Sequence, residues 1–369
     1  LTKDREINLN ICVMARSLNP KLHILCRSSS ESHTEQLAAL GNITLINPFE
    51  IFAQLLSMAI SAPRLHNLNS CLVHAPGIKL GQPLQVPAGE WILCGFGRMG
   101  KWLCKYFLMN GIKPVIIDPD AEESAEGITV IRSRANQNSL QQAGIEHAAG
   151  VVAGTDNDFD NLSIIMCVRN QKPDAFTVVR QNSHNNQIAF DSANTDLILQ
   201  SSLTTARRIL KHLISPQIQQ MVDYLRDQGE EVTRQVVERL QPVLRGRPTH
   251  LWRVNLCEDE AEAVIDVFQA RGYFTLGELT RNPYDLERSI SCIAMAIKRG
   301  DQNIMLPDEN EQLYLNDEIL FCGSEHSETM LSASMNNAYT LHYLIHRKDP
   351  PRGYFFKWLE QWRHGSEST

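Results

Sequence analysis

With 369 residues the chain is long enough for two or three domains, each burying a core of its own. Hydrophobic residues make up 43% and charged residues 21%, the balance of a soluble globular protein rather than a disordered one. A formal charge of -7 argues against a nucleic-acid partner, since phosphate binding draws on surplus Lys and Arg; no stretch approaches the roughly 18 to 20 apolar residues that would span a bilayer.

The chain opens "LTKDREINLN", without an initiator Met and without a charged-then-apolar leader, which points to no export signal and to a first residue that is not the gene's start. Nine cysteines, with no CxxC pair and several inside apolar runs (Cys94, Cys167, Cys322), read as reduced thiols. "IFAQLLSMAI" reads as an amphipathic helix.

An internal repeat organises the chain as far as Pro216. Set against the stretch from Gly154, the stretch from Leu1 aligns without a gap at an offset of 153, from the paired prolines (173 minus 20). Asn8 meets Asn161, Ile11 meets Ile164, Arg16 meets Arg169, Arg27 meets Arg180 and Pro63 meets Pro216. Residues 1–63 are therefore the closing half of a unit whose complete copy spans 89–216. The opening half of the first copy falls before Leu1. Residues 64–88, dense in Pro and Gly, read as a linker.

In the complete copy, Trp91 to Cys94 form a buried strand, and Met99, Trp102, Leu103, Tyr106 and Phe107 recur at helical spacing up to Asn110 and Gly111. "KPVIID" and "ITVIRS" are strands, "NSLQQAGI" is a helix, "GVVAGT" a strand, "NLSIIMCVRN" a helix, and "FTVVRQ" and "DLILQ" are strands. This alternation means α/β architecture: Rossmann-like, doubly wound parallel sheets in tandem. Beyond it, residues 217–248 are a helical connector, the helical stretch being interrupted at Pro216. Residues 249–325 read as short strands in a smaller α+β lobe, and 326–369 as a C-terminal extension. In that extension "YTLHYLIH" alternates like a strand, which argues against a helical metal pair at His342 and His346. The tail from Arg347 interleaves aromatics with cations, suited to a packed terminal helix, a membrane surface or a neighbouring subunit.

The segment Gly95, Phe96, Gly97, Arg98, Met99, Gly100 has the spacing G-x-G-x-x-G between strand and helix. The first glycine permits a tight turn, the second admits a pyrophosphate, the third allows close helix packing, and the helix N-terminus presents free N–H groups. Asp118, 18 residues past Gly100 (118 minus 100), ends the next strand, where a carboxylate bonds an adenosine ribose. That acid favours an unphosphorylated ribose, hence NAD or a simple adenine nucleotide. Arg98 adds charge toward the phosphates, and Thr155 and Asp156 fall in the crevice outside the strand ends.

"GFGRMG" with Asp118, "AGI" at 143–145, "TDNDFDN" at 155–161 and "VVRQ" ending beyond Arg180 resemble the nucleotide-binding lobe of the RCK family, the regulator-of-potassium-conductance or KTN domains. The region Thr249 to Gly323 is similar to the smaller lobe that follows it there. The resemblance implies two such domains in tandem, as in the gating rings of prokaryotic potassium channels. It implies a cytoplasmic regulator at the inner membrane face, not an enzyme. It also implies a homo-oligomer of dimers in a ring, a transmembrane potassium pore as partner, and NAD(H), ADP, ATP or AMP as ligand. Arg180 joins the expected binding residues on this ground. One departure stands out: where the family shows Gly-Asp, this chain has Ser133 and Arg134, so Arg134 replaces a carboxylate and shifts the preference toward more phosphate. No divalent-metal site is carried over. Two other readings stay open, a peripheral NAD-binding subunit of a Trk-type uptake system and an NAD-dependent oxidoreductase. The latter lacks a proton-transfer residue with a positioned partner: no Tyr is followed four residues later by Lys, and the histidines form no motif.

Overall fold

The structure, a computed structural model, describes residues 4–28, 31–73, 84–121, 128–214, 217–244 and 250–348. It divides into two compact units, Leu1–Asn69 with Gln82–Pro216, and Ser70–Gly81 with Gln217–Thr369.

The first unit opens with helix α1 (Arg5–Leu18), strand β1 (Ile24–Arg27), helix α2 (Glu31–Ala38), strand β2 (Ile43–Ile46) and helix α3 (Pro48–Ser61). Helix α4 (Pro63–Val73) follows, so the segment read as a linker, 64–88, begins with ten helical residues (73 minus 63). Pro63 at the first helical position is compatible with that start, since its missing N–H is one a helix leaves unpaired anyway.

Next come β3 (Trp91–Cys94), α5 (Arg98–Met109), β4 (Val115–Ile117), β5 (Val130–Ile131), α6 (Gln137–Gln142), β6 (Gly150–Ala153) and α7 (Asp158–Gln171). Strand β7 (Phe176–Gln181), helix α8 (Gln187–Ser192), strand β8 (Leu197–Gln200) and helix α9 (Ser201–Ile214) complete the unit. The six strands β3 to β8 form one parallel sheet in the order β5-β4-β3-β6-β7-β8. Chain order reverses between β3 and β6, the place where doubly wound sheets open a crevice at their carboxyl ends.

The repeat is reproduced in the backbone. Adding 153 to the bounds of α1 and α3 gives 158–171 and 201–214, the bounds of α7 and α9. Strand register agrees too: Leu25 pairs Thr44 in β1–β2, and Val178 pairs Leu197 in β7–β8, each member shifted by 153. One arginine per copy fixes the geometry. Arg169 donates to the carbonyls of Pro173 (2.7 Å), Ala175 (2.9 Å) and Asn194 (2.9 Å). Arg16 donates to those of Pro20 (2.7 Å), Leu22 (2.8 Å) and Gly41, the same positions 153 residues earlier. Gly41 and Asn194 both take the left-handed conformation that turns the carbonyl toward the arginine (φ +67° and +48°).

Helix α3 packs on α5, placing Phe49, Phe52, Ala53, Leu56 and Ala59 in one apolar cluster with Trp91, Met99, Leu103 and Phe107. Polar groups lock the same contact: Ser57 Oγ donates to the Tyr106 carbonyl at 3.1 Å and accepts from Asn110 Nδ2 at 2.7 Å. The first copy is thus built onto the second copy's nucleotide-type helix.

The second unit contains helices α10 (Gln217–Gln228) and α11 (Glu230–Leu244), then an antiparallel sheet of β9 (His250–Asn255) and three later strands, Cys292–Arg299, Gln302–Met305 and Glu318–Gly323. Short strands and polar turns are as read over 249–325. The "YTLHYLIH" reading is corrected: Ala338–His346 is a helix, begun by the Asn337 side chain, which accepts from the amides of Tyr339 and Thr340. His342 and His346 lie 4.3 Å apart by ring centroid. Among the described residues no group of three or more metal-ligating side chains occurs, and no helix is long and apolar enough to cross a membrane. The aromatic and basic tail from residue 349 onward lies outside the described residues.

Candidate functional site

Strand β3 is buried along its whole length and leads straight into the glycine loop. The three glycines are required for three different reasons. Gly95 has φ +100°, a conformation closed to ordinary L residues, and any Cβ there would lie 3.2 Å from the backbone of Gly154 and Thr155. A Cβ at Gly97 would meet open space, so this position keeps the crevice clear. A Cβ at Gly100 would collide with the Gly95 carbonyl oxygen, so this position lets α5 pack under the loop. Gly97 is also the N-cap of α5, contributes no side-chain cap, and no acid occupies the first helical turn. The amides at this helix start therefore present their positive end to the crevice without a resident anion.

A cavity of about 690 Å³ opens here, lined by Gly95, Phe96, Gly97, Arg98, Lys101, Asp118, Asp120, Ala121, Gly154, Thr155, Asp156 and Arg180. It gathers nearly every residue expected from the sequence. Met99 and Gly100 are the exceptions on that wall: both are buried, Met99 in the core beneath the loop and Gly100 where α5 packs against the Gly95 carbonyl. Arg134 lines a smaller adjoining cavity of about 250 Å³, together with Asp118, Asp120, Asp156 and Asp160.

Asp118 stands at the end of β4, as its strand position predicts. Its Oδ2 accepts from the Phe96 amide at 2.6 Å and its Oδ1 from the Asp120 amide at 2.8 Å. The carboxylate thereby holds the glycine loop in shape, and each oxygen retains a lone pair able to accept from a hydroxyl. Thr155 is held in turn by Asn161, whose Oδ1 accepts from the Thr155 amide (2.9 Å) and hydroxyl (2.8 Å). Asn161 also donates to the Arg180 carbonyl at 2.8 Å, which ties β6 to β7 below the crevice. The cap of α7 is Asn157, leaving Thr155 and Asp156 to face the cavity.

Three arginines converge on one side. Arg98 and Arg180 stack over the ring of Phe49 at 5.3 and 4.8 Å from its centroid. Burial, then the nearby Arg98 charge, pulls the Arg180 guanidinium down to about 10; Asp156 and Asp158 oppose this, and Arg27 adds to it. Burial and Arg98 lower Arg27 likewise. Asp158 is occupied elsewhere. Burial raises its carboxyl, but the amides of Asn182 and Ser183 and the side chains of Asn186 and Asn182 outweigh that and hold it below the ordinary range.

Sequence reading missed Lys101, Asp120 and Phe49. Lys101 was legible as the next helical turn after Arg98. Phe49 was not, because it reaches the loop through the packing of α3 on α5.

A parallel sheet with a glycine-rich turn at its switch point, a carboxylate on the neighbouring strand and cations at the loop is an arrangement suited to a nucleotide's sugar and phosphates. Residues 91–201 match the TrkA-N domain family. That segment is a TrkA-N domain by this match. Among its relatives, "Potassium channel protein 1" of Methanocaldococcus jannaschii is 26% identical over 158 residues, 40% of this chain and 47% of that protein. An "Uncharacterized protein" of Methanothermus fervidus is 24% identical over 195 residues, 51% of this chain and 29% of that protein. The chain spans less than half the length of either relative. Among solved structures, "GsuK channel bound to NAD" superposes with a TM-score of 0.46 at 15% identity, over 89% of this chain and 66% of that one. For "Crystal structure of the GsuK bound to ADP" the TM-score is 0.43 at 19% identity, over 56% and 49%.

Proposed function

We propose that this chain is the ligand-sensing module of a potassium channel, a tandem of RCK units that binds an adenine nucleotide in the Gly95–Gly100 crevice. Binding biases the placement of the packed lobes and so biases a pore. The observation that carries the reading is the crevice itself: an open position at Gly97, unopposed helix amides, Asp118 on the sugar side and Arg98 and Arg180 beyond the loop. The similarity to a potassium channel protein, 26% identity over 158 residues, supports the pore as partner. A homo-oligomeric ring at the inner face of the membrane is the assembly through which such a module would act. We read the chemistry as binding rather than turnover: the described lining residues offer carboxylates, arginines and a lysine, and no His or Tyr is among them.

Thermal denaturation with ATP, ADP, AMP, NAD and NADH tests this directly, since a ligand selective for the folded state raises the melting temperature. The wild-type chain is expected to shift with at least one of them. Gly97→Val is expected to melt near the wild-type temperature and to lose the shift, because the added side chain enters the crevice rather than the core. A shift that persists in Gly97→Val would put the ligand somewhere else.

A further inference from the structure

Two thiols meet inside the first copy. Cys12 on α1 and Cys26 on β1 are 3% and 4% exposed and, with Leu37, form the small apolar cluster that fastens the helix to the strand. They are in contact: burial, then the hydrogen bond and the charge of Cys12, push the Cys26 thiol up to about 12. The repeat shows that the frame does not require sulfur at either place. Adding 153 gives Ile165 and Val179, 1% and 0% exposed in the core that joins α7 to β7. On one backbone, therefore, the second copy closes this contact with branched hydrocarbon and the first closes it with a pair of thiols. Two thiols bury less apolar surface than an isoleucine and a valine, so packing alone does not account for them.

Burial ordinarily makes a cysteine inert. Here the cover is thin. Among the described residues, strand β1 pairs with β2 alone, whereas its counterpart β7 lies between β6 and β8. The outer side of α1 is open, with Ile11 53%, Met14 66% and Leu18 86% exposed. The cluster around the thiols has three buried apolar side chains among the described residues, against 16 in the cluster that holds Ile165 and Val179. Elements held by so few buried side chains open locally at low free-energy cost. When α1 lifts from β1, the thiols reach water and regain the ordinary acidity of a free cysteine, about 8.5.

We propose that Cys12 and Cys26 form a thiol–disulfide exchange site, closed and reduced at rest, which reacts with a low-molecular-weight disulfide to clamp α1 onto β1. The cysteine that opening exposes attacks the reagent R–S–S–R as a thiolate and displaces one thiolate, leaving a mixed disulfide on the chain. On closing, the thiolate of the other cysteine attacks the protein sulfur of that bond and expels the second R–S⁻. One S–S bond forms in the chain and one breaks in the reagent. The two cysteines are oxidised, the reagent is reduced to two R–SH, and the two cysteine protons pass through water to the leaving thiolates. The product ties residues 14 apart (26 minus 12) across the helix–strand contact, and so suppresses the opening through which it formed.

Treating the folded 369-residue chain with oxidised glutathione, followed by mass spectrometry without reductant, tests the assignment. The chain is expected to lose the mass of two hydrogens, with tryptic peptides 6–16 and 22–27 joined by a bond that dithiothreitol breaks. The oxidised chain is expected to melt above the reduced one. The double variant Cys12→Ile with Cys26→Val, which writes the second copy's pair into the first, is expected to melt at or above reduced wild type and to lose the response to oxidised glutathione. Cys26→Val alone is expected to stop at the mixed disulfide, gaining one glutathione at Cys12, and it carries the test if the double variant does not fold. A folded wild-type chain that never joins 6–16 to 22–27, or joins them only in denaturant, overturns the proposal. Equally fast linkage of Cys94 to Cys167, neighbouring thiols in the thicker core of the second copy, overturns it too, because oxidation would then not select the thin cover.

Discussion

The two copies of the repeat share a frame and differ in what surrounds it. Arg16 and Arg169 hold the same turn by the same carbonyls, but Arg169 has an added ion pair with Asp196 (2.8 Å) and a hydrogen bond to Thr177 Oγ1 (2.8 Å). In the first copy those two places are Ile43 and Ile24. Ile164 on α7 is buried within a cluster that includes Leu140 and Ile145, whereas Ile11, its counterpart on α1, is 53% exposed. Arg27 reaches the hydroxyl of Ser201, whereas Arg180, its counterpart, lines the crevice and stacks on Phe49. The same backbone frame thus serves as a scaffold in one copy and as the wall of a crevice in the other. The difference lies in neighbouring side chains, not in the fold.

The sharpest way to break this contrast is at the third glycine. Gly100→Val forces the loop off the Gly95 carbonyl and is expected to cost about 3 kcal/mol or more, with the nucleotide-induced shift abolished. Urea unfolding followed at the buried Trp91 reads the stability change. The paired arginines come next. Arg169→Ala leaves three carbonyls and Asp196 without their donor and is expected to cost about 2 to 3 kcal/mol; Arg16→Ala, with no acid to strand, is expected to cost about 1 to 2 kcal/mol. Equal losses would mean that the added polar pair contributes nothing, and would undo the contrast between the copies.

Acid separates the copies more gently. Asp158 and Asp196 are both held below the ordinary carboxylate range, and position 158 corresponds to Arg5 and position 196 to Ile43 in the first copy. A depressed folded-state value means stability present above the unfolded value, near 4, and lost as pH falls through the folded one. Melting temperature is therefore expected to drop from pH 5 toward pH 2 through the second copy. Asp158→Asn should flatten that acid limb and cost about 1 kcal/mol at neutral pH. An unchanged limb would show that these carboxylates are not what titrates.

Much of the binding unit was legible in the chain because its signals are local. The strand at Trp91, the helix beginning at Arg98, the loop glycines and Asp118 follow from periodicity and from turn chemistry acting over a few residues. The repeat was legible because Arg16, Pro20 and Arg27 recur in register with Arg169, Pro173 and Arg180, and the first arginine of each set bonds alike in both places. What escaped depends on tertiary context or on competing local cues. Residues 64–73 read as linker because the prolines and glycines after Cys71 coloured the whole stretch, although Pro63 just before them suits a helix start. In "YTLHYLIH" alternation mimicked a strand, and the deciding cue was the capping Asn337 just before it. Phe49 lies 46 residues before Gly95 (95 minus 49), and only the docking of α3 on α5 brings it to the arginines. Met99, counted with the loop by its place in the motif, turned inward because helical geometry points that position at the sheet.

One ring in Phe49 has a further consequence. Were the two copies separate polypeptides, the crevice would have to capture the ring beneath its arginines by collision, and the fraction of crevices so completed would fall on dilution. Carried on a single covalent strand, the ring is held at a high effective concentration and in one-to-one ratio with the arginines it supports. The stacking of Arg98 and Arg180 on that ring is thereby independent of how much of the chain a cell makes.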